Sequence, residues 1–126
     1  MRNIYLEVGT ANIVLLVEMK LKKKNLENNN SKEREMKVCF DVDGVLVNGD
    51  EKIQANIELL KVIAIRHKVF VWSGNGYEYA YSVVKKLGLT GIIEGVLNKY
   101  NTFKPDIAFD DKEICLGKLD ICLDQK

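Results

Sequence analysis

A short apolar run that ends in two carboxylates constrains this chain more than any other feature. Met36-Lys37-Val38-Cys39-Phe40 leads straight into Asp41-Val42-Asp43 and breaks at Gly44. Successive apolar residues of this kind suit a buried strand of a parallel sheet. Two acids delivered together to the end of such a strand repel each other and resist ionisation. A bound cation is the usual relief, so the remainder of the sequence has to supply a fold that brings metal ligands to this strand end.

From Met36 onward, strand and helix patterns alternate. Val38 to Phe40 form the first strand, followed after Asp43 by a short loop through Asn48-Gly49-Asp50. Ile53 to Arg66 sets Ile57, Leu60, Ile63 and Ala64 on one face at helical spacing. Lys68 to Trp72 is a β-branched and aromatic strand that ends at Ser73-Gly74-Asn75-Gly76. Tyr77 to Leu87 is a second amphipathic helix, with Ala80, Val83, Val84 and Leu87 inward and Gly88 as its stop. Leu89 to Leu97 reads as a third strand. After Lys104-Pro105, Asp106 to Phe109 reads as a fourth that ends at Asp110-Asp111.

This order predicts an α/β fold, a three-layer Rossmann-like parallel sheet with helices on both faces and no cap domain. Right-handed crossovers gather the carboxyl ends of the strands on one edge, where open α/β sheets bind ligands. Asp41, Asp43, Ser73, Asp110 and Asp111 are therefore expected to converge.

Composition fits one ordinary globular domain: 126 residues, 47% apolar, formal net charge +1. That balance implies neither a nucleic-acid footprint nor an acidic tail, and no apolar run approaches the ~20 residues a membrane span needs. Three cysteines without CxxC spacing, Cys39, Cys115 and Cys122, fit a reducing, cytoplasmic setting. Residues 1–35 read as an N-terminal extension: a strand or hairpin turning at Gly9-Thr10-Ala11-Asn12, then a polar, Asn-rich linker carrying the solvated run Lys20–Lys24. Residues 36–126 read as the catalytic domain.

The chemistry these residues allow is phosphoryl transfer. Asp41 beside Mg²⁺ can act as a nucleophile that forms an aspartyl-phosphate. Asp43, on the same face of an extended strand, can protonate the leaving oxygen and then deprotonate water. Asp110 and Asp111 offer the hard oxygen ligands Mg²⁺ prefers. Ser73 can donate its hydroxyl to a phosphoryl oxygen, with the backbone N–H groups of Gly74 and Asn75 behind it at a helix start. A lysine is wanted to offset charge on the transferring group; Lys104 is the first choice on spacing and Lys99 the second. Each piece also has a bland reading. Asp and Gly favour turns, His67 suits a helix C-terminus, and Trp72 suits the core. Tyr77 and Tyr81 are i, i+4 neighbours whose face Tyr79 cannot share, and one of the three can reach substrate.

Taken together, FDVDGVL resembles motif I of the haloacid dehalogenase (HAD) superfamily, VFVWSGNG motif II, Lys104 the motif III lysine and IAFDD motif IV, in family order over residues 36–111. The resemblance implies a Mg²⁺-dependent phosphomonoesterase. In it Asp41 is the nucleophile, Asp43 the general acid/base, and Ser73, Gly74, Asn75 and Lys104 bind phosphate. Asp41, Asp43, Asp110 and Asp111 make up the metal site. Spacings that leave room for one helix and one strand between motifs imply a capless member. Such a site is open to a phosphorylated substrate of unspecified kind, a nucleic acid only as a phosphate bearer, or to cover by a second copy in a homo-oligomer. The alternative is a catalytically weak or inactive HAD-like metal- and phosphate-binding regulatory module. A receiver-like phosphoacceptor domain orders its acids differently, since here the second acidic pair follows the fourth strand.

Overall fold

The computed structural model describes residues 3–7, 35–100, 103–112 and 116–124. In chain order the elements are β1 (Asn3–Glu7), β2 (Lys37–Asp41), β3 (Val47–Asn48), β4 (Glu51–Lys52), α1 (Gln54–Ala64), β5 (Lys68–Ser73), α2 (Tyr77–Lys86), β6 (Gly95–Asn98), β7 (Ile107–Asp110) and β8 (Leu119–Asp124). The hairpin turn and linker expected between residues 8 and 34 lie outside the described residues.

Strand β2 sits inside a parallel sheet of order β1-β8-β7-β2-β5-β6. The chain steps from β2 to β5 to β6, then returns to β7 on the far side of β2, so the direction of winding reverses at β2. This is the switch point at which open α/β sheets place their ligands. Asn3–Glu7, within the stretch read as an extension, pairs in parallel with β8 from Asn3↔Asp120 to Glu7↔Asp124. Ile121 and Cys122 lie in β8, which also pairs in parallel with β7.

The pleat divides the strands' side chains. Val38, Phe40, Val69, Val71, Ile107 and Phe109 face one way, with Ile57, Leu60 and Ile63 of α1 and Ala80, Val83 and Val84 of α2 packed on them. Phe40 and Phe109 stack at the centre with ring centroids 4.5 Å apart, and both are fully buried. Burial of each ring contributes roughly 1.5–3 kcal/mol. Cys39, Trp72 and Ala108 face the other way, against Phe70, Leu97, Phe103 and Leu116.

Helices are expected on both faces of the sheet. Among the described residues both helices lie on one face. The reason is the handedness rule: two right-handed crossovers made in the same direction, β2 to β5 and β5 to β6, must pass over the same face. The return to β7 and the step to β8 pass over the other face, where Phe103 and Leu116 pack.

Local signals account for the element ends. Gly88, at φ +72°, closes α2 with Gly88 N–H donating to Lys85 O (3.1 Å) and Leu89 N–H to Val84 O (3.0 Å). That is a Schellman pair, with Leu89 buried against the turn. Leu89 therefore belongs to the helix end, and the third strand begins only at Gly95. The loop read after Asp43 contains a two-stranded hairpin, β3 with β4. Between β2 and β5 the chain holds this hairpin and α1, and between β5 and β6 it holds α2, with no cap domain. No described helix is long and apolar enough to cross a membrane.

Candidate functional site

Parallel pairing sets the carboxyl ends of β2, β5, β6 and β7 level. Phe40 pairs with Phe109, Asp41 with Trp72 and Ser73 with Asn98. The residues just past those pairs line one cavity of about 410 Å³: Asp41, Asp43, Ser73, Gly74, Asn75, Lys99, Tyr100, Asp110, Asp111 and Lys112. All five sequence positions expected to carry acids or the serine hydroxyl are brought together with the Gly74-Asn75 loop, and Lys99 joins them.

Lys104 does not. It is exposed and precedes β7, whose amino end lies on the opposite edge of the sheet, beside Lys37 and Asp106. The six residue steps from Lys104 to Asp110 span at most about 20 Å at 3.3 Å per residue, about 13 Å of it along β7, so a lysine before β7 does not sit with the acids after it. Lys99 directly follows β6 and so reaches the same edge as Asp41. Its Nζ lies 3.1 Å from Asp41 Oδ1 and 2.7 Å from Asp110 Oδ2. Counting residues back from Asp110 favours Lys104, whereas asking which lysine follows a strand selects Lys99, the one that lines the cavity.

Asp41, Asp110 and Asp111 each offer a carboxylate oxygen, and the three atoms lie within 4.8 Å of one another. Oxygens on opposite sides of a Mg²⁺ ion stand about 4.2 Å apart, and of Ca²⁺ about 5 Å. The spread is thus the size of one divalent coordination shell, and the donor set is all hard oxygen. These residues could hold a metal ion. Asp43 stands outside this set. Its Oδ1 accepts the Tyr79 hydroxyl at 2.6 Å and its Oδ2 accepts Asn75 Nδ2 at 2.9 Å.

Burial shapes the electrostatics. Asp41 is 5% exposed and Asp110 1%. Burial, reinforced by the Asp110 carboxylate and opposed by Lys99, pushes Asp41 from its usual 3.8 to about 7. Burial and the adjoining Asp110 raise Asp111 as well. For Lys99 burial acts downward, but its contacts with Asp110 and Asp41 outweigh it and hold the ammonium above its ordinary value. The group stands as a cluster of acids with one ammonium bound to two of them, an arrangement that favours further positive charge.

The supporting contacts are local. Gly44 has φ +82°, and the Asp111 carboxylate packs so closely on it that a Cβ would overlap the acid. Glycine is needed there for both reasons. Val42 O accepts Leu46 N–H at 2.9 Å and Val47 O accepts Gly44 N–H at 2.8 Å. Asn56, buried on α1, donates Nδ2 to Val45 O at 2.8 Å and ties this loop to the helix. Ser73 Oγ accepts Asn75 N–H at 3.0 Å, which leaves the hydroxyl proton available to an anion in the cavity. Lys112 N–H donates to Asp110 Oδ1 at 3.2 Å.

Tyr79 and the Asn75 side chain are contributions that sequence reading did not assign. The signal for Tyr79 was present: Tyr77 and Tyr81 stack 6.2 Å apart on the exposed side of α2, which turns the intervening Tyr79 inward. His67 accepts Met36 N–H at Nδ1 (3.1 Å) at the amino-terminal edge, away from the acids, and Trp72 is core. No protein-family model, curated protein or solved structure matches this chain.

Proposed function

We propose that the chain is a Mg²⁺-dependent phosphomonoesterase acting through an aspartyl-phosphate on Asp41. One observation carries the reading: Lys99 bridges Asp41 and Asp110 in the cavity that also holds Asp111 and the Ser73-Gly74-Asn75 turn. Nucleophile, cation ligands, counter-charge and anion donors are then within one substrate phosphate's reach.

Mg²⁺ held by Asp41, Asp110 and Asp111 would supply charge compensation for the phosphoryl group and keep Asp41 ionised. The Ser73 hydroxyl donates to a phosphoryl oxygen, and the Lys99 ammonium neutralises charge on the oxygens nearest Asp41. Asp41 Oδ attacks phosphorus as the ester P–O bond breaks, and Asp43 gives its proton to the departing oxygen. Asp43, now a carboxylate, takes a proton from the water that hydrolyses the Asp41 acyl phosphate, so that Asp41 returns as a carboxylate and Asp43 as the acid. Without a cap the cavity opens past Gly74, Asn75, Tyr100 and Lys112, all exposed.

The test is hydrolysis of p-nitrophenyl phosphate by wild type and Asp41→Asn, with Mg²⁺ and with EDTA. Wild type is expected to turn over only with the metal and Asp41→Asn not at all. A variant as active as wild type refutes Asp41 as nucleophile. Absence of turnover in wild type, with Mg²⁺ shown to bind by calorimetry, refutes the enzyme reading in favour of a binding module.

A further inference from the structure

Asp43 lies two residues beyond Asp41 and lines the same cavity, yet it is excluded from the group of acids whose oxygens converge. A carboxylate beside a divalent site tends to rotate into it, and an Asp that did so could no longer protonate a leaving group. Two contacts oppose that rotation here. Asn75 Nδ2 holds one oxygen at 2.9 Å, and the Tyr79 hydroxyl holds the other at 2.6 Å. The two anchors differ in firmness. Asn75 is exposed and sits in the turn proposed to meet phosphate, so its amide is free to exchange Asp43 for a phosphoryl oxygen. Tyr79 is carried by α2, and its ring packs against the main core cluster. Its backbone carbonyl is also fixed by the Ser82 hydroxyl at 2.7 Å.

We infer that Tyr79 is the positioning residue for Asp43, holding its carboxyl group clear of the metal ligands and aimed at the leaving oxygen of the substrate. This rests on the phosphohydrolase reading and deepens it. The tyrosine keeps its own proton throughout. It donates a hydrogen bond to Asp43 while Asp43 transfers a proton to the departing alkoxide as Asp41–P forms and P–O breaks. The contribution therefore scales with how much protonation the leaving group requires. An alkyl alkoxide needs the acid, whereas p-nitrophenolate departs without it.

The experiment compares kcat/KM, which reports the steps up to transfer to Asp41, for an alkyl phosphate such as O-phosphoserine and for p-nitrophenyl phosphate. The proteins are wild type, Tyr79→Phe and, as a control for loss of a hydroxyl from the same helix, Tyr81→Phe. General acid catalysis contributes on the order of 10²–10⁴. Tyr79→Phe is expected to lose about tenfold or more on the alkyl ester and less than about threefold on the aryl ester. Its Mg²⁺ affinity is expected to match wild type, and Tyr81→Phe is expected to match wild type on both esters. An equal fall on both esters means a merely structural role and overturns the inference, as does no fall on the alkyl ester. If wild type hydrolyses neither ester, the phosphohydrolase reading itself fails and this inference with it. That outcome is distinct from an active wild type whose Tyr79→Phe variant shows no selectivity.

Discussion

Asp41→Asn tests the electrostatics of the cluster without relying on turnover. The amide is nearly isosteric and leaves Lys99 its 2.7 Å contact with Asp110. In the metal-free protein Asp41 titrates at about 7 rather than 3.8. The folded state therefore holds a proton that the unfolded chain has already released. Stability from this group is full below the unfolded value, falls as pH rises through the interval, and is lowest above the folded value. A gap of about 3, at 1.36 kcal/mol each, sets the maximum loss at about 4 kcal/mol, of which relaxation and water entry leave about 2 kcal/mol. Asn carries no such burden. In EDTA at pH 8 the variant is thus expected to melt about 6–8 °C above wild type for a chain of this size. The difference is expected to shrink below about 0.5 kcal/mol at pH 4. Thermal melts at half-unit pH intervals from 4 to 8 check this. A difference that stays constant with pH, or a variant less stable at pH 8, refutes the view of Asp41 as an acid destabilised by burial and by Asp110.

Lys99→Met is expected to destabilise the metal-free protein at pH 8 by about 3 kcal/mol, because two buried carboxylates lose their counter-ion. Lys104→Ala is expected to stay within about 0.5 kcal/mol; urea denaturation of both, read beside phosphatase rates, separates the two lysines. Gly44→Ala places a methyl group where the Asp111 carboxylate lies and strains a φ of +82°. Calorimetric Mg²⁺ affinity is expected to fall at least tenfold, a loss of about 1.4 kcal/mol or more, and unchanged affinity would remove Asp111 from the ligand set.

What the sequence disclosed follows from how locally each feature is determined. Strand β2, both helices and the Gly88 stop are written in runs of eleven residues or fewer, because apolar period and a glycine at positive φ act within a turn. Convergence of Asp41, Ser73 and Asp110 was also legible, since parallel connection fixes which strand ends share an edge. The helices' common face followed from the same rule, had the strand order been known; it depends on β5 and β6 being added successively on one side of β2, which no local pattern records. The position of the cavity lysine follows a related logic, because the strand end on which a residue falls, and not its distance in sequence from Asp110, puts Lys99 beside the acids. Tyr79 was hidden among three tyrosines, and its partner Asp43 lies 36 residues away.

The strand order also dictates when in folding the cavity can exist. Pairing of β2 with β5 brings Phe40 to Val71, whereas pairing with β7 brings Phe40 to Phe109. The longer closure costs about 0.7 kcal/mol more chain entropy. The Asp41–Ser73 half of the site is therefore expected to assemble with the earlier contact, and Asp110 and Asp111 to arrive with the slower, non-local one. A divalent ion that needs all three acids has nothing to grip before β7 docks. Its stabilising effect should then appear as slower unfolding with little change in the refolding rate, so that cation and substrate phosphate lengthen the lifetime of the native state without hastening its formation.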